Sequence, residues 1–116
     1  MEPLEIAGAY YDAFRRMTDF SEVPIAETLV FRGPNGALEG AATFRGVVAG
    51  LARQLRGLAI RHQVATPERV VSVYDFDLGL PEGAIAMAEV LVIENGRIAE
   101  IELLFDASRL APGGEA

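Results

Sequence analysis

Hydrophobic positions along this chain follow two different periods, and the change between them divides it. Over residues 4–17, Ile6, Tyr10, Ala13 and Met17 recur at helical spacing, with Phe14 one turn on from Tyr10, which predicts a first helix. Pro3 suits a first turn, and Glu2 and Glu5 favour the positive end of the helix dipole. Residues 19–27 predict a short second helix, with Asp19 or Ser21 as cap and Pro24 in or near its first turn. Residues 28–31 read as a short strand, stopped at Gly33-Pro34-Asn35-Gly36. The helical period returns over residues 41–56, where Phe44, Val47, Val48, Leu51 and Leu55 form a stripe; Gly57 ends it.

Beyond Gly57 the period becomes that of strands. Residues 58–65 alternate Ile60, His62 and Val64 against Arg61, Gln63 and Ala65. Residues 70–78 form the next strand, with turns at 66–69 and 79–83. Residues 85–93 and 98–105 are apolar runs joined through Asn95-Gly96, a pair that tolerates positive φ at both turn positions and so predicts a two-residue hairpin. That turn sets Glu94 opposite Arg97, Ile93 opposite Ile98, Val90 opposite Ile101, Glu89 opposite Glu102 and Ala88 opposite Leu103. One hairpin face, with Ala86, Ala88, Val90, Val92, Ala99, Ile101, Leu103 and Phe105, is wholly apolar and calls for a covering layer. The other mixes Leu91, Ile93, Ile98 and Leu104 with Glu89, Glu100 and Glu102, and is expected to be open and to form a sheet-to-sheet dimer. Helices on one face of a consecutive antiparallel sheet make an α+β layer fold with a hollow between the layers.

Composition narrows the chemistry. A chain of 116 residues suits a single domain over 1–116, with 110–116 expected to be a disordered tail. The formal net charge of -7, with every basic residue an arginine, repels a phosphate backbone, so nucleic acid is not an expected partner. No cysteine is present, which excludes disulfides and thiolate chemistry. No signal-peptide pattern and no bilayer-length apolar run occurs, so no membrane partner is expected and a cytoplasmic location is the default. Phosphate-cradling loops, nucleophile elbows and His-rich metal spacings are missing too, so no cofactor and no metal is expected.

Four residues are the catalytic candidates. His62, the single histidine, is of the residue type suited to general acid–base work and shares a predicted face with Ile60 and Val64. Asp75 and Asp77 share one face of their strand, Tyr74 and Phe76 the other, and alternation does not say which pair faces in; inward aspartates would suit a general base, with Asp75 preferred. Tyr10 and Tyr11 lie on the first helix, where a hydroxyl would support an oxyanion.

The helix with Tyr10, Tyr11 and Phe14, then Leu29-Val-Phe-Arg-Gly-Pro34, Glu39-Gly40, Val73-Tyr-Asp-Phe76, Met87-Ala-Glu89, Glu94-Asn-Gly-Arg-Ile98 and Leu104-Phe-Asp-Ala107 together resemble the SnoaL-like branch of the nuclear-transport-factor-2-like (NTF2-like) superfamily. The resemblance implies a cone: a curved antiparallel sheet against about three N-terminal helices, a pocket between them, and a homodimer through the sheet. Its members include polyketide cyclases, ketosteroid isomerases, epoxide hydrolases and proteins of undescribed function, so it implies architecture more than a reaction. It suggests a small apolar molecule as ligand, converted by cofactor-independent acid–base chemistry, with a noncatalytic ligand-binding or structural dimer as the alternative. The isomerase tyrosine matches Tyr10 or Tyr11. The place of that family's base holds Gly33, and the place of its second carboxylate falls on Ala88, with Glu89 one residue off unless a bulge intervenes. The cyclase pattern fits His62 with Asp75, and the hydrolase types are present in Arg61, Asp75 or Asp77, and Asp106. Phe14, Phe31, Ala88, Val90, Ile101, Leu103 and Phe105 are expected to line the pocket.

Overall fold

A computed structural model describes residues 1–110. The expected tail beyond Leu110 lies outside the described residues, while Ala107–Arg109 form one 3-10 turn. The elements run α1 (Pro3–Arg16), β1 (Ile25–Gly33), β2 (Gly36–Glu39), α2 (Ala41–Ala52), β3 (Gly57–Ala65), β4 (Arg69–Asp77), β5 (Ile85–Glu94) and β6 (Arg97–Leu104). The strands form one six-stranded sheet in the order β2-β1-β6-β5-β4-β3. The four C-terminal strands are an antiparallel meander, as the alternation predicts, but β1 joins the edge of β6 in parallel, so the sheet is mixed.

Two helices cover the sheet, not about three. The expected helix over residues 19–27 is instead a tight turn running into β1. Thr18 and Asp19 side chains accept from the backbone N–H of Phe20 and Ser21, and Phe20 takes a left-handed φ of 64°. Such side-chain-to-backbone bonds compete with a helix, and Pro24 cannot donate to one. The Gly33–Gly36 stretch does more than stop a strand, because it folds β2 back on β1 with Gly33 paired to Gly36. At the other end, Asn95 (φ 52°) and Gly96 (φ 73°) make the predicted tight turn.

α1 begins where Glu5 accepts from the Glu2 N–H at 2.9 Å and ends at left-handed Met17. Two arginines tie the layers together. Arg15 donates to the Leu58 carbonyl, and Arg45 donates to those of Phe20 and Val23. Between helices and sheet lies the core, built on Ile6, Tyr10, Phe14, Phe20, Phe44, Phe76, Leu91 and Ile101 among others.

Two one-residue bulges determine which side chains enter that core. In β6 the register shifts between Ile98, opposite Ile93, and Glu100, opposite Val92, so that Ile101 faces Leu91 and Leu103 faces Glu89. The inward face of β5 therefore holds Ile85, Met87, Glu89, Leu91 and Ile93, all buried. This reverses the expectation for β5: the face assigned to a dimer is the one under the helices, and Ala86, Ala88, Val90 and Val92 lie on the open side. In β3 the shift falls between Ile60, opposite Tyr74, and His62, opposite Val73, which turns His62 away from the side that Ile60 faces.

Candidate functional site

Among the described residues Glu89 is the one carboxylate in the core, with 1% of its surface exposed. It stands in the middle of β5, opposite Ser72 on β4 and Leu103 on β6. The chain has three tyrosines, and all three hydroxyls converge on it. Tyr11 and Tyr74 each donate to Oε1 at 3.0 Å, and Tyr10 donates to Oε2 at 3.0 Å. Local geometry explains the convergence. Tyr10 and Tyr11 are adjacent on α1, about 100° apart around its axis, and reach down on both sides of the carboxylate. Tyr74 lies opposite Met87, two residues from Glu89 on the same face, and is therefore its diagonal neighbour across the sheet. The rings also pack together, Tyr11 and Tyr74 edge to face with centroids 5.2 Å apart, and Tyr10 and Tyr11 tilted with centroids 5.1 Å apart.

Burial pushes the Glu89 carboxyl up to about 7, against the opposing pull of the three hydroxyls, which favour the ionised form. The tyrosines are held above their ordinary value, first by burial and then by the neighbouring carboxylate, and so remain proton donors. Oε1 accepts two hydrogen bonds and Oε2 one, so acceptor capacity is left on Oε2. Ser72, fully buried, accepts from Gln63 Nε2 at 3.0 Å.

A cavity of about 80 Å³ opens beside this cluster. Tyr10, Tyr74 and Glu89 line its buried end, and half-buried Leu38, Leu51, Phe105 and Leu110 its outer part. Phe14, Phe31, Phe44, Phe76, Met87 and Leu103 form the rest of an apolar wall. Of the residues expected to line a pocket, Phe14, Phe31, Leu103 and Phe105 do so. Ile101 is buried in the adjoining core, and Ala88 and Val90 face the opposite side of the sheet.

Tyr10 and Tyr11 are therefore at the site, whereas Asp75 and His62 are not. β4 turns Tyr74 and Phe76 inward because burying two aromatic rings is favourable and burying two carboxylates is not. Asp75 is left on the outer face, paired with Arg61 at 3.3 Å and 39% exposed. His62 is exposed on that same face through the Arg61 bulge. Alternation alone misses Glu89 and Tyr74. The available signal is a lone carboxylate inside the apolar run Ile85–Ile93. Among the described residues no group of three His, Cys, Asp or Glu side chains is placed to hold a metal ion.

No protein-family model matches the chain. No curated protein matches its sequence. Solved structures do match. A Kribbella flavida protein is 28% identical, with 92% of this chain and 88% of that one covered, at a TM-score of 0.82. An NTF2-like protein of unknown function from Cytophaga hutchinsonii is 16% identical over 94% of both chains, at a TM-score of 0.81. A steroid delta-isomerase from Pseudomonas aeruginosa is 18% identical, with 90% of this chain and 79% of that one covered, at a TM-score of 0.74.

Proposed function

From a chain that has the NTF2-like fold, shared with SnoaL-like isomerases and cyclases, we propose a cofactor-independent acid–base catalyst for a small, largely apolar molecule, with Glu89 as the proton-transfer group. The observation that carries this reading is the burial of one carboxylate, held by three tyrosine hydroxyls, at the wall of an apolar cavity. A carboxylate there costs several kcal/mol of desolvation, and a structural core has no need of it.

The chemistry follows from the donor set. Oε2 takes a proton from a carbon next to the substrate carbonyl, and the electron pair moves to the carbonyl oxygen. As Glu89 becomes neutral, the Tyr10 hydroxyl loses its ionic acceptor and turns to the new oxyanion. Return of the proton from Oε2 to a different carbon gives an isomer, and return to the same carbon gives exchange only. A carboxyl raised to about 7 is poised for both directions near neutral pH.

The test is carbon-bound hydrogen exchange. Small ketones are incubated with the protein in heavy water and followed by proton NMR. Exchange above the spontaneous rate is expected, reduced about 100-fold or more in Glu89→Gln. The cavity volume favours a second reading, a noncatalytic binding or structural domain, because about 80 Å³ is smaller than the roughly 150 Å³ that admits benzene. Catalysis then requires the half-buried outer residues to move apart. Background exchange with every ketone would leave the noncatalytic reading standing. We also propose that the open sheet face, with Val71, Val90, Val92 and Leu104, pairs with a second copy of the chain.

A further inference from the structure

We propose that this cavity selects its ligand by charge: it takes a small apolar tertiary amine, bound as its ammonium ion on Glu89 Oε2, and rejects carboxylates. The inference rests on the reading that Glu89 meets the ligand, but not on any turnover. Three observations support it.

When Glu89 is ionised, its hydrogen-bond partners are tyrosine hydroxyls alone. From α1 it is faced by Tyr10 and Tyr11, from β4 by Tyr74 and Ser72, and from β6 by Leu103, while α2 presents Phe44 to the same cavity. The arginines of the covering helices that lie nearest the core point elsewhere: Arg15 to the Leu58 carbonyl and Arg45 to those of Phe20 and Val23. The ionised site thus carries one negative charge without a cationic partner. A ligand cation supplies that partner, and a ligand anion adds a second charge to a dry site.

The geometry leaves space for one donor. Oε1 already accepts from two hydroxyls and Oε2 from one. A tertiary ammonium has a single N–H, which fills the remaining position on Oε2. Its alkyl groups then meet only aromatic and aliphatic surface. A primary ammonium would bury two further N–H groups without acceptors.

The walls also suit a cation. Rings of Tyr10, Phe14, Phe31, Phe44 and Phe76 line the cavity, and Phe31 and Phe44 lie 5.6 Å apart. Aromatic faces attract alkylammonium ions most strongly where water is excluded. The fold has already removed Glu89 from water, so an arriving ammonium bears only its own desolvation cost.

The probes are trimethylamine, tert-butanol and isobutyrate, of similar size and of cationic, neutral and anionic charge. Binding is followed through the tyrosine ring signals by NMR between pH 6 and 8. Trimethylamine should bind at pH 8 at least ~10-fold more tightly than tert-butanol, with isobutyrate unbound. With a carboxyl near 7, its affinity should fall about 10-fold from pH 8 to pH 6 as Glu89 takes up a proton. Glu89→Gln should abolish the preference for the amine over the alcohol. The pH series on the unaltered protein decides the matter even if that variant does not fold. Equal or tighter binding of tert-butanol, or an amine affinity flat with pH, overturns charge selection and leaves the acid–base reading intact. Binding of none of the three also overturns it, and the acid–base reading then stands or falls by its own exchange assay.

Discussion

Glu89 shapes the energetics of this protein as much as its chemistry. A folded-state carboxyl near 7, against about 4.5 in the unfolded chain, means that the fold holds its proton more tightly than the open chain does. The sign follows by linkage. Below about pH 4.5 both states are protonated, and the neutral acid sits in the core without a charge penalty. As pH rises from there through 7 the unfolded chain ionises first, and stability is lost. The loss from this one group is roughly 3 kcal/mol, complete above pH 7. Glu89→Gln should remove it, so urea unfolding of the two proteins at pH 5 and pH 8 should show the wild type losing more than the variant by that amount. A difference that does not change with pH would mean that Glu89 titrates normally. The three hydroxyls oppose the shift, so Tyr10→Phe, Tyr11→Phe or Tyr74→Phe should each raise the Glu89 carboxyl further. Carbon-13 titration of the glutamate side chains measures this directly, and an unmoved midpoint in all three would remove the hydroxyls from the account.

At the scale of the strands, single-residue bulges decide which chemistry is inside. The Asn95-Gly96 turn and the pairs Ile93–Ile98 and Glu94–Arg97 are legible in the sequence because local turn chemistry fixes them. The extra residue at Ala99 is not legible, since no local feature of the sequence demands it, and beyond it the predicted pairs slip by one. That slip puts Glu89 opposite Leu103 instead of Glu102, and resolves the like-charge conflict the unbulged register would create. The bulge at Arg61 likewise hides the true face of His62. In β4 the choice between Tyr74 and Asp75 needed the third dimension, because only the folded chain shows Tyr10 and Tyr11 waiting above Tyr74. A consequence at this scale is that the outer face should be silent at the site. Asp75→Asn breaks a half-exposed ion pair with Arg61 and should cost no more than about 1 kcal/mol. Neither it nor His62→Ala should move the Glu89 midpoint or ligand affinity. A large change in either variant would show that the two faces of the sheet are coupled.

On the scale of the whole molecule, helices cover one face of the sheet, and among the described residues none covers the other. The two long helices and the four C-terminal strands were readable from period changes and turn signals, whereas the replacement of the 19–27 helix by a turn, the β1–β2 hairpin and the parallel docking of β1 on β6 were not, the last because it joins segments distant in sequence with no turn between them. Covering one face leaves the other with Val71 (37% exposed) beside half-buried Val90, with half-buried Val92 and Leu104 (55% exposed) near them, and with Glu100 and Glu102 opposite Val92 and Val90. On the proposed dimer a two-fold axis would set this face against the same face of a second copy, with no further element needed. Charge opposes the union, because each chain carries a formal -7 and two must approach. The apolar contact must therefore outweigh a repulsion that salt screens. Sedimentation of the wild type should accordingly show a dimer whose dissociation weakens as salt is raised from low to physiological strength. Val90→Arg puts a long charged side chain into the apolar contact, opposite Glu102 on the same face, and should weaken association about 10-fold or more, while its outward direction keeps it off the Glu89 side of the sheet. If the wild type sediments as a monomer at every salt concentration, the open face is simply solvated. If the dimer survives Val90→Arg, the two copies meet elsewhere.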